Sequence, residues 1–328
     1  MISSMSRGLQ KQEPMSRDYF DVDALIDSVE CGAIAPLRGS WIVKLYEEGG
    51  SLKRRQDLPP EAFWSAADLR KAAQKLGKKF GVLFVALSYR WLTKDHPDPN
   101  GFHLAIIAAV AKLYMGHGDG GARSFSHLVQ ECKSVQLEVD FALFWDFGSL
   151  FQTPRSEKQT ALFKQGLKLS NIWYGHTHSV CWMQSELPKD FTGADYETSG
   201  WCFVEAAISA LVKVGLNRLD LRRRTKDELC YGHESVPDHA KYRHLDWNCA
   251  GQRLPPPTPE HVKHLLETQK KFTNNSDVSV VANLYKNFFE NIASSVETMD
   301  VSNLQWGAHE AKELCNVLMR FDKLSSLE

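Results

Sequence analysis

The sequence has no hydrophobic run long enough to cross a membrane as a helix. Its longest apolar helical stretch, Phe102 to Met115, is too short for a bilayer and contains His103 and Lys112. Residues 1–18 are polar and mixed in charge, without the apolar segment of a secretory signal, so neither export nor a membrane partner is expected. The chain also lacks a surplus of either charge: 39 Lys and Arg stand against 40 Asp and Glu, a net charge of −1. Without a basic excess to displace counterions from phosphates, nucleic acid is not an expected partner. The local basic runs Lys53-Arg54-Arg55 and Arg222-Arg223-Arg224 read as solvated faces. Cysteine is sparse, seven residues scattered through 328, an odd number that favours reduced thiols in the cytoplasm over a disulfide framework.

What is present is the composition of a folded protein, 43% hydrophobic and 24% charged, with length enough for two domains. Residues 1–20 have no period and read as a disordered N-terminus. Residues 21–77 read as a helical extension, with Pro60 placed for a first helical turn and Ser65 capping a helix that stops at Gly77. Residues 78–224 alternate strand and helix. The expected strands are 82–88, Val139 to Trp145, Ser170 to Tyr174 and Arg218 to Leu221. The expected helices cover about 101–115, 123–133, 156–168 and 200–214, with Asp146–Arg155 as a loop. That alternation implies βαβ units and a parallel sheet. Residues 225–257 are irregular and end in Pro255-Pro256-Pro257, 258–295 form a helical linker, and 296–328 have a different grammar. There Val296, Met299, Val301 and Leu304 fit an L-x-x-L-x-L-x-x-L pattern, followed by Ala311, Leu314 and Leu318 at helical spacing. Leu324 and Leu327 then repeat Val296 and Met299. A strand plus a helix of that length resembles one leucine-rich repeat of the ribonuclease-inhibitor type; the other reading is a lone amphipathic helix. One repeat cannot bury its own face, so the segment must stack on further repeats or dock on the helices before it.

Chemistry concentrates at two places. The run Gly81 to Leu87 is unbroken apolar sequence that stops at Ser88-Tyr89-Arg90-Trp91, as a strand buried on both faces does. In the 200–214 helix, Trp201, Val204, Ile208, Leu211 and Val212 share one face and Glu205 sits on its border. A carboxylate there must be paired, protonated or functional, and Arg90 is the candidate ion-pair partner. Asp95, His96 and Asp98 sit together in a proline-rich loop that reads either as a cation site or as a stiff turn. Cys230, His233, His239, His244 and Cys249 have the composition of a zinc site but no compact ligand spacing.

Taken in order, Ser88-Tyr89-Arg90, Trp145-Asp146-Phe147, Leu169-Ser170-Asn171-Ile172 and Ser199-Gly200-Trp201-Cys202-Phe203-Val204-Glu205 resemble a divergent Toll/interleukin-1 receptor (TIR) domain over about 81–221. The Trp-Cys-x-x-Glu piece is the most specific. Three features depart from that family's pattern. The first turn continues to Pro99 without a Gly-x-Asp sequence, the loop after the second strand is not glycine-rich, and the connection from Tyr174 to Ser199 is unusually long. The resemblance implies an α/β fold with a flavodoxin-like, doubly wound parallel sheet, and an intracellular signalling protein. In catalytic members it implies an NAD nucleosidase that cleaves the nicotinamide–ribose bond, NAD being substrate and no cofactor or metal required. Glu205 would then be catalytic, with Ser88, Tyr89, Arg90, Trp91, Trp145, Asp146 and Trp201 binding substrate. The alternative it implies is a non-catalytic interaction module that self-associates and carries a leucine-rich arm for a protein partner. A nucleoside-processing transferase of the same fold type is a third reading.

Overall fold

The computed structural model describes residues 19–116, 127–213, 215–223, 245, 249–251, 253–302, 304 and 306–328. The expectation of disorder over 1–20 falls almost wholly outside these residues, as do most of 225–257 and the zinc candidates Cys230, His233, His239 and His244.

A five-stranded sheet organises the fold. Its strands are β1 (Leu37–Arg38), β2 (Phe84–Tyr89), β3 (Ala142–Phe144), β4 (Val180–Gln184) and β5 (Arg218–Asp220), in the order β1-β3-β2-β4-β5. β2, β3, β4 and β5 run parallel, and β1 adds antiparallel to β3 at one edge. All six residues of β2 are buried, which is what a central parallel strand requires and why its sequence is a continuous apolar run. The chain passes from β2 to β3 on one side, then to β4 on the other side of β2. Both edges of the sheet are occupied by further backbone: Leu37 bridges to Phe63, and Leu219 to Ala250.

Side chains alternate across the sheet and sort the helices into two layers. On one face Phe84 meets Trp173 of α7 (Glu157–Gly175), and Ser88, four residues on, meets α8 (Gly200–Val212). On the other face Tyr89 meets His103 of α4 (Phe102–Tyr114), whose Tyr114 also packs edge-on against Trp182 of β4. Helices α1 (Val22–Glu30), α2 (Gly39–Glu47) and α3 (Ala66–Leu76) form the N-terminal extension. Ser65 caps α3, as read from the sequence, and Asp21 caps α1. Between β2 and β3 the chain also forms α5 (His127–Ser134), and immediately after β3 it forms α6 (Asp146–Ser149), inside the segment expected to be loop.

The third parallel strand differs from expectation. Ser170 to Tyr174 are not strand but the last turns of α7, and the strand is Val180–Gln184. The physical reason is continuity. Ser156 and Gln159 form a reciprocal capping box, no proline interrupts the segment, and the single interior glycine, Gly166, is packed against Leu150 and Ala33, so the helix runs on to Gly175, where α7 ends before His176-Thr177-His178. With the strand at 180–184, the connection to α8 is shortened by ten residues.

Helices α9 (Pro259–Thr268) and α10 (Asp277–Ala293) follow the prolines; Thr258 caps α9, and the α10 residue Tyr285 donates to the Pro257 carbonyl at 2.7 Å. The last unit comprises β6 (Thr298–Met299), α11 (Ala308–Leu318) and β7 (Ser326–Leu327). β6 and β7 pair in parallel, Thr298 with Ser326 and Met299 with Leu327, so the residues that repeat in sequence are neighbours in space. Buried Val296, Met299, Leu314, Val317 and Phe321 face inward, and Phe321 meets Phe289 of α10 at 5.7 Å between ring centres. The unit therefore docks on the preceding helix.

Candidate active site

The site lies where β2 ends. Ser88 and Tyr89, its last two residues, point to opposite faces of the sheet and are held by different carboxyl groups. On the α8 side, Ser88 Oγ donates to Glu205 Oε2 at 2.7 Å. The Tyr196 hydroxyl lies 2.7 Å from the same serine oxygen and, with the serine proton directed at Glu205, donates to it. The Tyr174 hydroxyl at the end of α7 lies within reach of both the Leu87 carbonyl, at 3.1 Å, and the Glu205 carboxyl. On the other side, Asp146 gathers three donors: the Tyr89 hydroxyl at 2.7 Å, Trp91 Nε1 at 2.9 Å and the Phe147 amide at 2.6 Å. Asp146 opens α6 just past β3, so this cluster ties the carboxyl ends of β2 and β3 together.

Glu205 and Asp146 line one cavity of about 310 Å³. Arg90, Trp91 and Trp201 share its wall. A second hollow of about 400 Å³ adjoins it, with Arg90, Trp91, Thr93, Lys94 and Thr273 common to both. Together they form a cleft at the carboxyl ends of the strands, beside the point where the winding of the sheet reverses. That is the usual ligand position in open α/β sheets.

The electrostatics of the cleft follow from burial. Protein atoms crowd the Glu205 carboxyl and push its pKa up from 4.5 to about 8. The Ser88 hydrogen bond opposes this, the charge of Asp146 adds to it, and the Tyr174 hydrogen bond opposes it in turn. Glu205 keeps some exposure through the cavity, and no arginine or lysine lies within ion-pair distance of it among the described residues. Arg90, the candidate partner, instead donates from Nε to the Ala194 carbonyl at 3.0 Å. Asp146 is also raised, by burial first, against the pull of its three donors. Tyr89, Tyr174 and Tyr196 are raised well above the ordinary tyrosine value by burial, with nearby acidic groups adding to it.

The structure brings Tyr89, Arg90, Trp91, Asp146, Trp201 and Glu205 onto the cavity wall, with Ser88 directly behind Glu205. Trp201 is fixed by a hydrogen bond from Nε1 to Asp277 Oδ2 at 3.1 Å. Trp145 is placed elsewhere: it is fully buried and packs edge-on against Tyr89 at 5.7 Å, so it supports the site from the core and offers no face to a ligand. Asp95, His96 and Asp98 form a turn that starts a helix. Asp98 accepts from the amides of His103 at 3.0 Å and Leu104 at 2.7 Å, satisfying the open end of α4. Among the described residues no cluster of three or more His, Cys, Asp or Glu is disposed to hold a metal.

Sequence reasoning missed several contributors. Tyr196 and Tyr174 complete the hydrogen bonding around Glu205 and Ser88. The segment between α9 and α10 supplies Lys271, Phe272 and Thr273 to the wall, because Ser199 bridges in parallel to Lys271. The close approach is allowed by Gly200: a Cβ there would overlap the Phe272 ring. The tight Ser-Gly step before Trp201 was the one local signal of that packing. No protein-family profile, no curated protein and no solved structure matches this chain.

Proposed function

We propose that this chain is a TIR-like cytoplasmic signalling protein whose Glu205 cavity cleaves the nicotinamide–ribose bond of NAD. The observation that carries the reading is a carboxyl group without a cationic partner among the described residues, facing a cleft at the carboxyl ends of parallel strands. The strand order supports it as well. Counting only the parallel strands in chain order, β3-β2-β4-β5 reads 2-1-3-4, the order of the flavodoxin-like doubly wound sheet short of its fifth strand. The residues that motivated the family resemblance, Ser88-Tyr89-Arg90 and the Trp-Cys-x-x-Glu of α8, meet at the same cleft.

Breaking an N-glycosidic bond builds positive charge on the ribose. A fixed carboxylate beside that charge is worth more in a shielded site than in water. With its proton affinity raised to about 8, Glu205 is ionised in about a tenth of molecules at pH 7. The nicotinamide ring of NAD carries a positive charge, and its arrival favours the ionised form. Ser88, backed by Tyr196, then donates to the carboxylate and holds it in one orientation. Arg90 presents a guanidinium, a shape suited to a diphosphate, at the junction of the two hollows. Trp91 and Trp201 offer faces for a ring. Water attack on the ribose carbon releases nicotinamide and leaves ADP-ribose.

The test is nicotinamide release from NAD by the full chain, at protein concentrations high enough to permit self-association. Release by the wild type and its loss in Glu205→Gln is the expected result. Equal rates in the two proteins would refute the assignment. A second reading, an interaction module with a leucine-rich arm, draws on a separate observation: the 298–299 and 326–327 strands pair in the register of the sequence repeat. Under that reading Glu205→Gln leaves the biological output and the self-association seen by light scattering unchanged.

A further inference from the structure

We propose that the cavity between α8 and the terminal strand–helix unit is a second ligand site, taking a small planar ring that carries an anionic group. This hollow, of about 800 Å³, is separate from the one that Glu205 lines and falls within the usual size of a small-molecule site. Its floor is the outer face of α8. Ala206, Ala207 and Ala210 have side chains too short to fill the space, and beside them lies the ring of Phe203. The facing wall is Leu254, Pro255, Pro257 and Leu265. Two apolar walls with a gap between them suit a flat ring.

The polar groups of the cavity select the charge of the ligand. Ser185 on its wall is buried, and its hydroxyl has no hydrogen-bond partner among the described residues. A buried hydroxyl left so costs stability, and a ligand oxygen would complete it. Arg218, itself more than nine-tenths buried, lines the same cavity and donates from Nε to Ser209 Oγ at 3.0 Å, which fixes the guanidinium in place. The Lys270 ammonium sits 4.3 Å over the Phe203 ring and donates to the Glu197 carbonyl at 2.9 Å. Of the four acids on its wall, three are engaged and the fourth, Glu313, is exposed to solvent. Glu197 and Asp220 hold Arg222 at 2.8 and 3.6 Å, and Glu310 accepts from the Gly307 amide at 2.9 Å at the start of α11. Tyr196 joins this cavity to the first, since its ring lines the one and its hydroxyl bonds Ser88 behind the other.

Adenosine monophosphate is a suitable probe, with adenosine and inorganic phosphate as controls, titrated into the full chain by calorimetry. The expected result is saturable AMP binding, at least tenfold weaker for either control. Ala206→Phe, which fills the gap, should abolish that binding. Ser185→Ala, which removes a hydroxyl that has no partner and so leaves the fold intact, should weaken it by about tenfold. Absence of AMP binding to the wild type would overturn the proposal. So would AMP binding that neither substitution changes, or adenosine binding as tightly as AMP. None of these results bears on nicotinamide release at Glu205, so the two readings stand or fall apart.

Discussion

Replacing Glu205 by Gln should make the protein more stable, and increasingly so as the pH rises. In the folded chain the carboxyl holds its proton up to about pH 8, whereas exposed it releases it near 4.5. The folded state therefore binds more protons than the unfolded one between those values, and stability falls as pH climbs through them. At 1.36 kcal/mol per unit, the cost of carrying an ionisable group here is under 1 kcal/mol at pH 5, about 3 kcal/mol at pH 7 and about 5 kcal/mol at pH 9. Those figures are ceilings. Water reaches the carboxyl through the cavity and screens it, so about half of each is the working expectation. Glutamine keeps the shape and an acceptor for Ser88 but never charges, and so removes the penalty. The assay is urea denaturation of both proteins between pH 5 and pH 9. The difference should be near zero at pH 5 and widen in favour of the variant to about 1–3 kcal/mol by pH 8. Curves that stay parallel across the range, or a variant less stable at pH 8, would refute the electrostatic account of this site. A residue kept at a cost in stability is what a functional position looks like, and the same substitution is expected to abolish nicotinamide release.

Other outcomes follow from the same geometry. If Glu205 acts as the carboxylate, nicotinamide release measured as kcat/KM should rise with pH and level off above about 8, and a flat profile would speak against it. Asp146→Ala strands the Tyr89 hydroxyl and the Trp91 indole N–H, and should cost about 2–4 kcal/mol in urea denaturation. Ser156→Ala removes one half of the capping box of α7 and should cost about 1 kcal/mol, measured in the same way. Gly200→Ala drives a methyl into Phe272 and should cost about 1–3 kcal/mol, with a gain of mobility at the 199–201 step visible in amide exchange.

Much of the architecture was legible where a residue acts through its own neighbours. Ser65 and Gly77 bound α3, Thr258 and Pro259 open α9, and the apolar run before Ser88 leads into a fully buried strand, which begins at Phe84 rather than Val82, all because caps and central strands impose local patterns. The third strand was misplaced because Leu169 to Tyr174 fit either state, and what decides for helix is the capping box at Ser156 and the absence of proline before Gly175, the interior Gly166 being absorbed by packing against Leu150 and Ala33. The over-long connection from Tyr174 to Ser199 was the visible symptom, since a buried run at Val180 to Met183 lay inside it. At the site, Ser88, Arg90 and Glu205 could be placed at one cleft from the sequence because strand ends and helix starts converge in this class of sheet, but the ion pair expected between Arg90 and Glu205 is not formed. Tyr196 and Phe272 could not, because what brings them in is tertiary contact across gaps in the chain that no local period records. Trp145 and Trp91 illustrate the remaining limit. Both are tryptophans at or after strand ends, yet one is interior packing and the other faces the cleft, a distinction set by which neighbours surround each ring.

The flanks of the five-stranded sheet carry a consequence for assembly. A backbone bridge at Leu37 on one border and another at Leu219 on the opposite border leave little room for a visiting strand to zip on. Copies of this chain that meet around this sheet then do so through helix surfaces and loops, and such contacts leave its hydrogen bonding untouched. The short ladder of Met299 and Leu327 is a different matter, because among the described residues this two-stranded ribbon has no further strand on either side.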